Sequence, residues 1–234
     1  LTWLSPDELS ALWLSLGVSL WATALVAVPA ILLGWLLARR EFRGRLLVDA
    51  LVHLPLVLTP VVVGYLLLLV VGRRGLFGSL LESLGLELAF TYQGAVLAAA
   101  VIALPLVVRS VRTAVELVDP GLEQAAAVLG AGPLRRMWTV TLPLAAPGIV
   151  AGLVLGFARS LGEFGATITL AGNIAGETRT LPIAIFNATQ VPGGEDSALR
   201  LTVLSVLLSL GALAASELFL RRLRRRARTS QVRS

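Results

Sequence analysis

Arg159 and Glu163 sit four residues apart inside the apolar run from Leu142 to Ala171, a spacing that puts both on one face of a helix. At membrane depth each charge costs about 2.5 to 3.5 kcal/mol on insertion scales, so such residues face a bundle interior or a water-filled cavity. Two chemistries fit. Either the pair flanks a polar path, with Arg159 attracting an anion, or it neutralises itself and fixes a packing contact or gate. A deep unpaired arginine would hold a divalent anion too tightly to release it, which weighs towards the second. Ser160, Gly162, Gly165, Thr167 and Thr169 supply small or hydroxyl side chains around the pair, suited to close helix packing and to lining a path. The single histidine, His53, lies four residues after Asp49, so a local Asp49–His53 pair is expected. One histidine and no cysteine cannot build a transition-metal site unaided, and no disulfide or thiol nucleophile is available. The chain has no glycine-rich loop ending in Lys-Ser or Lys-Thr, so it cannot cradle nucleotide phosphates in the Walker manner. It shows no paired carboxylates or serine–base set inside its apolar runs, which argues against an intramembrane enzyme.

The elements that hold these residues are membrane helices. The chain has 234 residues, is 56% hydrophobic and 15% charged, and has a mean hydropathy of +0.85. A soluble domain carries about 25% charged residues. Five runs approach or exceed the roughly 20 residues that a helix needs to cross a bilayer. They are 9–38, 46–71, 93–115, 142–171 and 198–220, and none alternates as a barrel strand would. The net charge of +6 and pI near 11.3 do not indicate nucleic acid, because the arginines fall in short blocks between apolar runs. Blocks at Arg39–Arg45, at Arg109, Arg112, Arg135 and Arg136, and at Arg221–Arg228 lie on one side under five crossings. The positive-inside rule makes that side cytoplasmic, with the amino terminus outside and the carboxyl terminus inside. The last block is suited to anionic headgroups. The stretch 178–191 is fairly apolar but carries Pro182, Asn187 and Gln190, and reads as a re-entrant or interfacial outer segment. No cleaved signal peptide is expected, since Asp7-Glu8 precede a first apolar run too long for an h-region.

Between the third and fourth runs, Asp119-Pro120-Gly121-Leu122-Glu123-Gln124-Ala125-Ala126-Ala127-Val128-Leu129-Gly130 predicts a short isolated helix over about 120–131. Asp119 caps it, Pro120 opens it, Glu123 suits its positive end and Gly130 and Gly132 end it. Physically this could be an ordinary surface helix. Its spacing says more. Gln124-Ala125-Ala126, Gly130 four residues on, and then Val140 and Leu142-Pro143 resemble the EAA loop of ABC importer permeases. Gln124 stands where that pattern has Glu, with Glu123 one residue earlier, and Val140 replaces Ile.

The resemblance runs over nearly the whole chain and is nearest to bacterial molybdate permeases of the short, five-span kind. It is carried by His53-Leu54-Pro55, Pro60–Tyr65, Gly156–Thr167, Gly176–Pro182 and Pro192–Glu195. It implies an all-α membrane protein of the type I ABC importer permease fold, one domain over 1–234, in the inner membrane and working as a homodimer. It implies a coupling helix in which Glu123, Gln124, Ala125, Ala126 and Gly130 meet an ATPase subunit, with two ATPase copies per dimer. ATP and Mg belong to that partner, and no cofactor or metal to this chain. An extracytoplasmic binding protein would deliver the oxyanion to outer loops such as 172–195. Arg159, Ser160, Glu163 and Thr167 are the candidate path or gate residues. Sulfate, thiosulfate or tungstate permeases are the alternatives within the class, and a passive anion channel is the alternative outside it.

Overall fold

The computed structural model describes residues 4–231, with side chains described as far as Ala214; the Arg221–Arg228 headgroup anchor therefore falls outside the described side chains. All regular structure in the described residues is helical. Helix α1, Pro6–Arg39, begins with a capping box in which the Ser5 side chain accepts from the Glu8 N–H and the Glu8 carboxylate accepts from the Ser5 N–H. Its 34 residues span about 51 Å, well beyond a hydrocarbon core of about 30 Å, and it runs unbroken through Pro29.

The run 46–71, expected as one crossing, divides into α2, Arg45–Val57, and α3, Pro60–Val71, whose axes differ by 119°. Pro60 has no N–H to continue the ladder and forces the preceding residue into the extended region, where Thr59 lies at φ −66° and ψ 143°. A short α4, Gly78–Ser83, leads to α5, Tyr92–Glu116, and then to α6, Pro120–Val128. Helix α7, Pro133–Arg136, passes through a wider π turn into α8, Leu142–Leu161. The run 142–171 also divides, since three residues, Gly162 to Phe164, leave the helix before α9, Gly165–Ala171. Helix α10, Leu181–Thr189, has nine residues and rises only about 13 Å, too short to cross. Its first N–H, from Leu181, donates to Ser15 Oγ of α1 at 2.6 Å. Helix α11, Glu195–Gln231, closes the chain. Four helices or helix pairs, Pro6–Arg39, Tyr92–Glu116, Pro133–Leu161 and Glu195–Ala214, are long and apolar enough to cross a membrane, and α2 with α3 would make a fifth crossing.

Helix α5 is the centre of the bundle. Val18, Ala22, Val26 and Ala30 of α1 meet Ala95, Ala99, Val107, Val108 and Val111 of α5 in one buried cluster. On the other side α8 approaches through Gly148, Gly152 and Gly156, one glycine per turn, which lie against Ala114, Ser110 and Val107 of α5. A Cβ on Gly152 would sit 2.6 Å from Ser110 Cβ, so the helices could not keep their distance. Gly152→Ala is accordingly expected to cost about 1 to 3 kcal/mol of stability, read as a lowered melting temperature in detergent. An unchanged melt would show that the two helices are not held at this seam. The two half-helices α3 and α9 also pack on each other. A Cβ on Gly64 would meet Ala166 Cα at 2.8 Å, and one on Gly165 would meet Pro60 Cβ at 2.9 Å, so the two breaks lie side by side.

Candidate functional site

Helix α6 stands clear of the bundle between α5 and α7, and each of its ends has a chemical cause. The Asp119 carboxylate accepts from the Gly121 N–H at 2.8 Å, and Pro120 occupies the first helical position. At the far end Gly130 adopts φ +85°, the Ala131 N–H donates to Ala126 O and the Gly130 N–H to Ala127 O. This double bond across a left-handed residue is the Schellman termination, which glycine accommodates without the steric cost that a Cβ brings.

The residues of α6 divide by direction. Gln124, Ala125 and Ala127 are exposed, as are Val128 and Leu129, at 88% each, and Leu122. Ala126 is half-buried. Glu123 turns the other way. Its Oε1 accepts from Arg39 Nε at 2.9 Å and from Thr141 Oγ1 at 2.8 Å, while Arg39 Nη2 donates to Val118 O at 2.7 Å. The side chains of Arg39 and Glu123 are only 15% and 17% exposed, so their pairing is screened far less than a surface salt bridge. One carboxylate thus fastens α6 to the end of α1 and to the start of α8. Arg39 and Thr141 carry no local signal that joins them to Glu123, because the three meet only in the folded chain.

The second group of candidates lies at the break between α8 and α9. Arg159 Nη1 pairs with Glu163 Oε2 at 2.9 Å, as the spacing of four allows, although the helix has already ended at Leu161. The other carboxylate oxygen, Oε1, accepts from the Ala166 N–H at 2.9 Å and so caps the first turn of α9. Glu163 is 2% exposed and occupies both oxygens in joining the two half-helices. Ser160 and Thr167 are buried on either side, and Ser160 Oγ has no hydrogen-bond partner. The structure therefore brings Arg159, Ser160, Glu163 and Thr167 together and leaves them as a group separate from α6.

Two further polar clusters join elements distant in sequence. Asp49 of α2 pairs with His53 at 3.3 Å, and Arg112 of α5 reaches the same carboxylate at 3.3 Å while its Nε donates to Glu116 at 2.9 Å. The expected Asp49–His53 contact is present but is shared with Arg112. At the opposite end of α1, Glu8 Oε1 accepts from Ser197 Oγ at 2.6 Å and from Arg200 Nη2 at 2.9 Å, tying α1 to α11. The Ser5–Glu8 capping box is a local contact, whereas the other partners of Glu8 lie almost 200 residues away. In the segment before α10, Arg179 Nε donates to Asn173 Oδ1 at 2.6 Å, and Asn173 Nδ2 reaches Asn187 Oδ1 at 3.3 Å.

The chain belongs to the family of binding-protein-dependent transport system inner membrane components, whose model matches residues 30–228. It is a multi-pass inner-membrane protein. Among its relatives is the molybdenum transport system permease protein of Escherichia coli K12, 53% identical over 225 residues that cover 96% of this chain and 98% of the relative. The corresponding protein of Haemophilus influenzae is 51% identical over 94% of this chain and 96% of its own length. The sulfate transport system permease protein of Salmonella typhimurium is 37% identical over 78% of this chain and 66% of its own length. Two solved structures share the fold. A chain of the MetNI methionine ABC transporter matches with a TM-score of 0.71 at 17% identity, covering 94% of this chain and 99% of that one. A chain of a bacterial alginate ABC transporter matches with a TM-score of 0.76 at 19% identity, covering 94% and 80%.

Proposed function

We propose that this chain is the membrane-spanning subunit of an ATP-driven molybdate importer. The observation that carries the reading is the identity of 51% and 53% to two molybdenum permeases over almost the whole of both chains, against 37% over a shorter stretch of a sulfate permease. Two copies form the path between them. An external binding protein delivers the oxyanion to the face that carries α10 and the start of α1, with the amino terminus outside and the carboxyl terminus in the cytoplasm. On the cytoplasmic side each α6 docks in one ATPase subunit, which holds ATP and Mg, so this chain performs no covalent chemistry. The exposed Leu122, Ala125, Val128 and Leu129 supply the apolar contact, and Glu123 transmits displacement to α1 and α8. Its double attachment favours that role over an ordinary surface helix. Arg159 and Glu163 act as a neutralised joint beside the path and leave the anion free to pass.

Uptake into vesicles that hold this chain with its ATPase and binding protein tests the reading. Molybdate is expected to enter only with ATP, and excess sulfate is expected not to suppress it. Sulfate-selective entry would assign the other oxyanion, and entry without ATP would make the chain a passive channel.

A further inference from the structure

One face of α1 carries a continuous apolar stripe, whose Trp21 and Leu25 border a groove shared with Tyr92, Val96 and Leu97 of α5. Trp21, Leu25, Val28 and Leu32 recur at helical spacing and are all exposed, and the same face continues through Trp35 to Arg39. There it opens into a cavity of about 250 Å³ between the end of α1, α6 and α7, lined in part by Trp35, Arg39, Arg40, Glu123, Arg136 and Thr141. That volume is roughly twenty times what one water needs by the same kind of measure.

The lining has a charge imbalance. Three guanidinium groups face a single carboxylate, and that carboxylate, on Glu123, is engaged by Arg39. Arg40 and Arg136 form no ion pair among the described residues. The Arg40 guanidinium lies 6.0 Å from the centre of the Trp35 ring. Two donors of the lining residues, Trp35 Nε1 and Arg136 Nε, are buried without an acceptor, a free-energy cost that a bound oxygen would remove. Cavity and stripe also match in scale. From Trp35 back to Leu25 the helix rises about 15 Å, half of a hydrocarbon core of about 30 Å and hence the depth of one leaflet. Arg39 and Arg40 end the apolar run of α1, which sets the cavity at headgroup level.

We propose that the cavity and stripe together hold one anionic phospholipid per chain, its phosphate at Arg40, Arg136 and Trp35 and an acyl chain along Leu32, Val28 and Leu25. The excess positive charge selects against a zwitterionic lipid, whose cationic headgroup it repels, and the stripe gives a free anion no added hold. The proposal requires that α1 crosses the membrane and is independent of the substrate, so it stands or falls apart from the molybdate reading.

Native mass spectrometry of the delipidated transporter, titrated with phosphatidylglycerol, phosphatidylcholine or inorganic phosphate, tests it. One phosphatidylglycerol per chain is expected to bind in preference to phosphatidylcholine. The variant Arg40→Ala/Arg136→Ala is expected to bind phosphatidylglycerol roughly 25-fold more weakly, about fivefold for each arginine. Trp35→Phe keeps an aromatic ring and loses the N–H, and is expected to weaken binding of phosphatidylglycerol. Equal binding of the two lipids, unchanged binding in both variants, or displacement of the lipid by an equal concentration of phosphate would overturn the proposal. A second copy seated on the stripe would also overturn it. Because the chain has no cysteine, a Val28→Cys variant would then form a disulfide-linked dimer in the membrane.

Discussion

Glu163→Gln is expected to abolish most molybdate uptake and to destabilise the protein by about 1 to 3 kcal/mol, because the carboxylate is buried while the Arg159 side chain is 35% exposed. The glutamine can still accept from the Ala166 N–H, so the cap on α9 is kept in part. What is lost is the charge opposite Arg159. An uncompensated guanidinium at membrane depth draws in water or turns its side chain away, and either movement disturbs the joint between α8 and α9. The double variant Arg159→Met/Glu163→Gln removes both charges and is expected to regain stability and most uptake, as apolar replacements of buried pairs often do. If the double variant melts normally yet transports nothing, Arg159 serves the anion directly and the joint reading fails. This comparison separates the two roles that the spacing of four left open.

The second large effect is expected at Glu123. Glu123→Ala should lower uptake roughly tenfold or more while ATP hydrolysis continues and the dimer stays assembled, with a stability loss of about 3 kcal/mol, the lower end of the range for breaking a buried pair. Arg39 keeps its bond to Val118 O, so the loop before α6 remains attached, but Thr141 keeps only a long contact to Arg136 O at 3.5 Å and α6 loses its tie to α8. Replacing both partners, Arg39→Leu/Glu123→Leu, should restore the melting temperature and leave uptake low, because packing is repaired and the directional link is not. Full uptake in Glu123→Ala would remove Glu123 from the coupling role. Recovery of uptake in the double variant would reduce that role to stability alone.

Much of this architecture was legible in the sequence because it is locally encoded. The runs 9–38 and 93–115 end where polar caps and arginines take over, and the observed helices Pro6–Arg39 and Tyr92–Glu116 extend them by a residue or a few at each end. Helix α6 is written in Asp119, Pro120 and Gly130, though it stops at Val128 because the Gly130 turn already begins at Leu129. The breaks in the second and fourth runs were signalled but outweighed. Pro60 and the Gly162-Glu163-Phe164-Gly165 sequence both disfavour helix, yet a window of twenty apolar residues averages such punctuation away. What the sequence could not show is pairing over distance. The partners of Glu123 lie 84 and 18 residues away and those of Glu8 lie 189 and 192 residues away, separations at which no periodicity constrains which carboxylate meets which guanidinium. Glu123 was singled out for its position in the EAA-like pattern, as a contact for the ATPase. In the folded chain its side chain is engaged by Arg39 and Thr141, partners that the pattern itself does not name.

The length of α1 has a mechanical consequence. A single unbroken helix is pinned at one end through Arg39 to Glu123 and at the other through Glu8 to Arg200 and through Ser15 to Leu181. An α-helix resists stretching, so movement at either pin along the helix axis arrives at the other with no intermediate relay. The two faces of the membrane are in this sense linked by one push rod, in which Pro29, lacking a backbone donor, is the point of least resistance to bending.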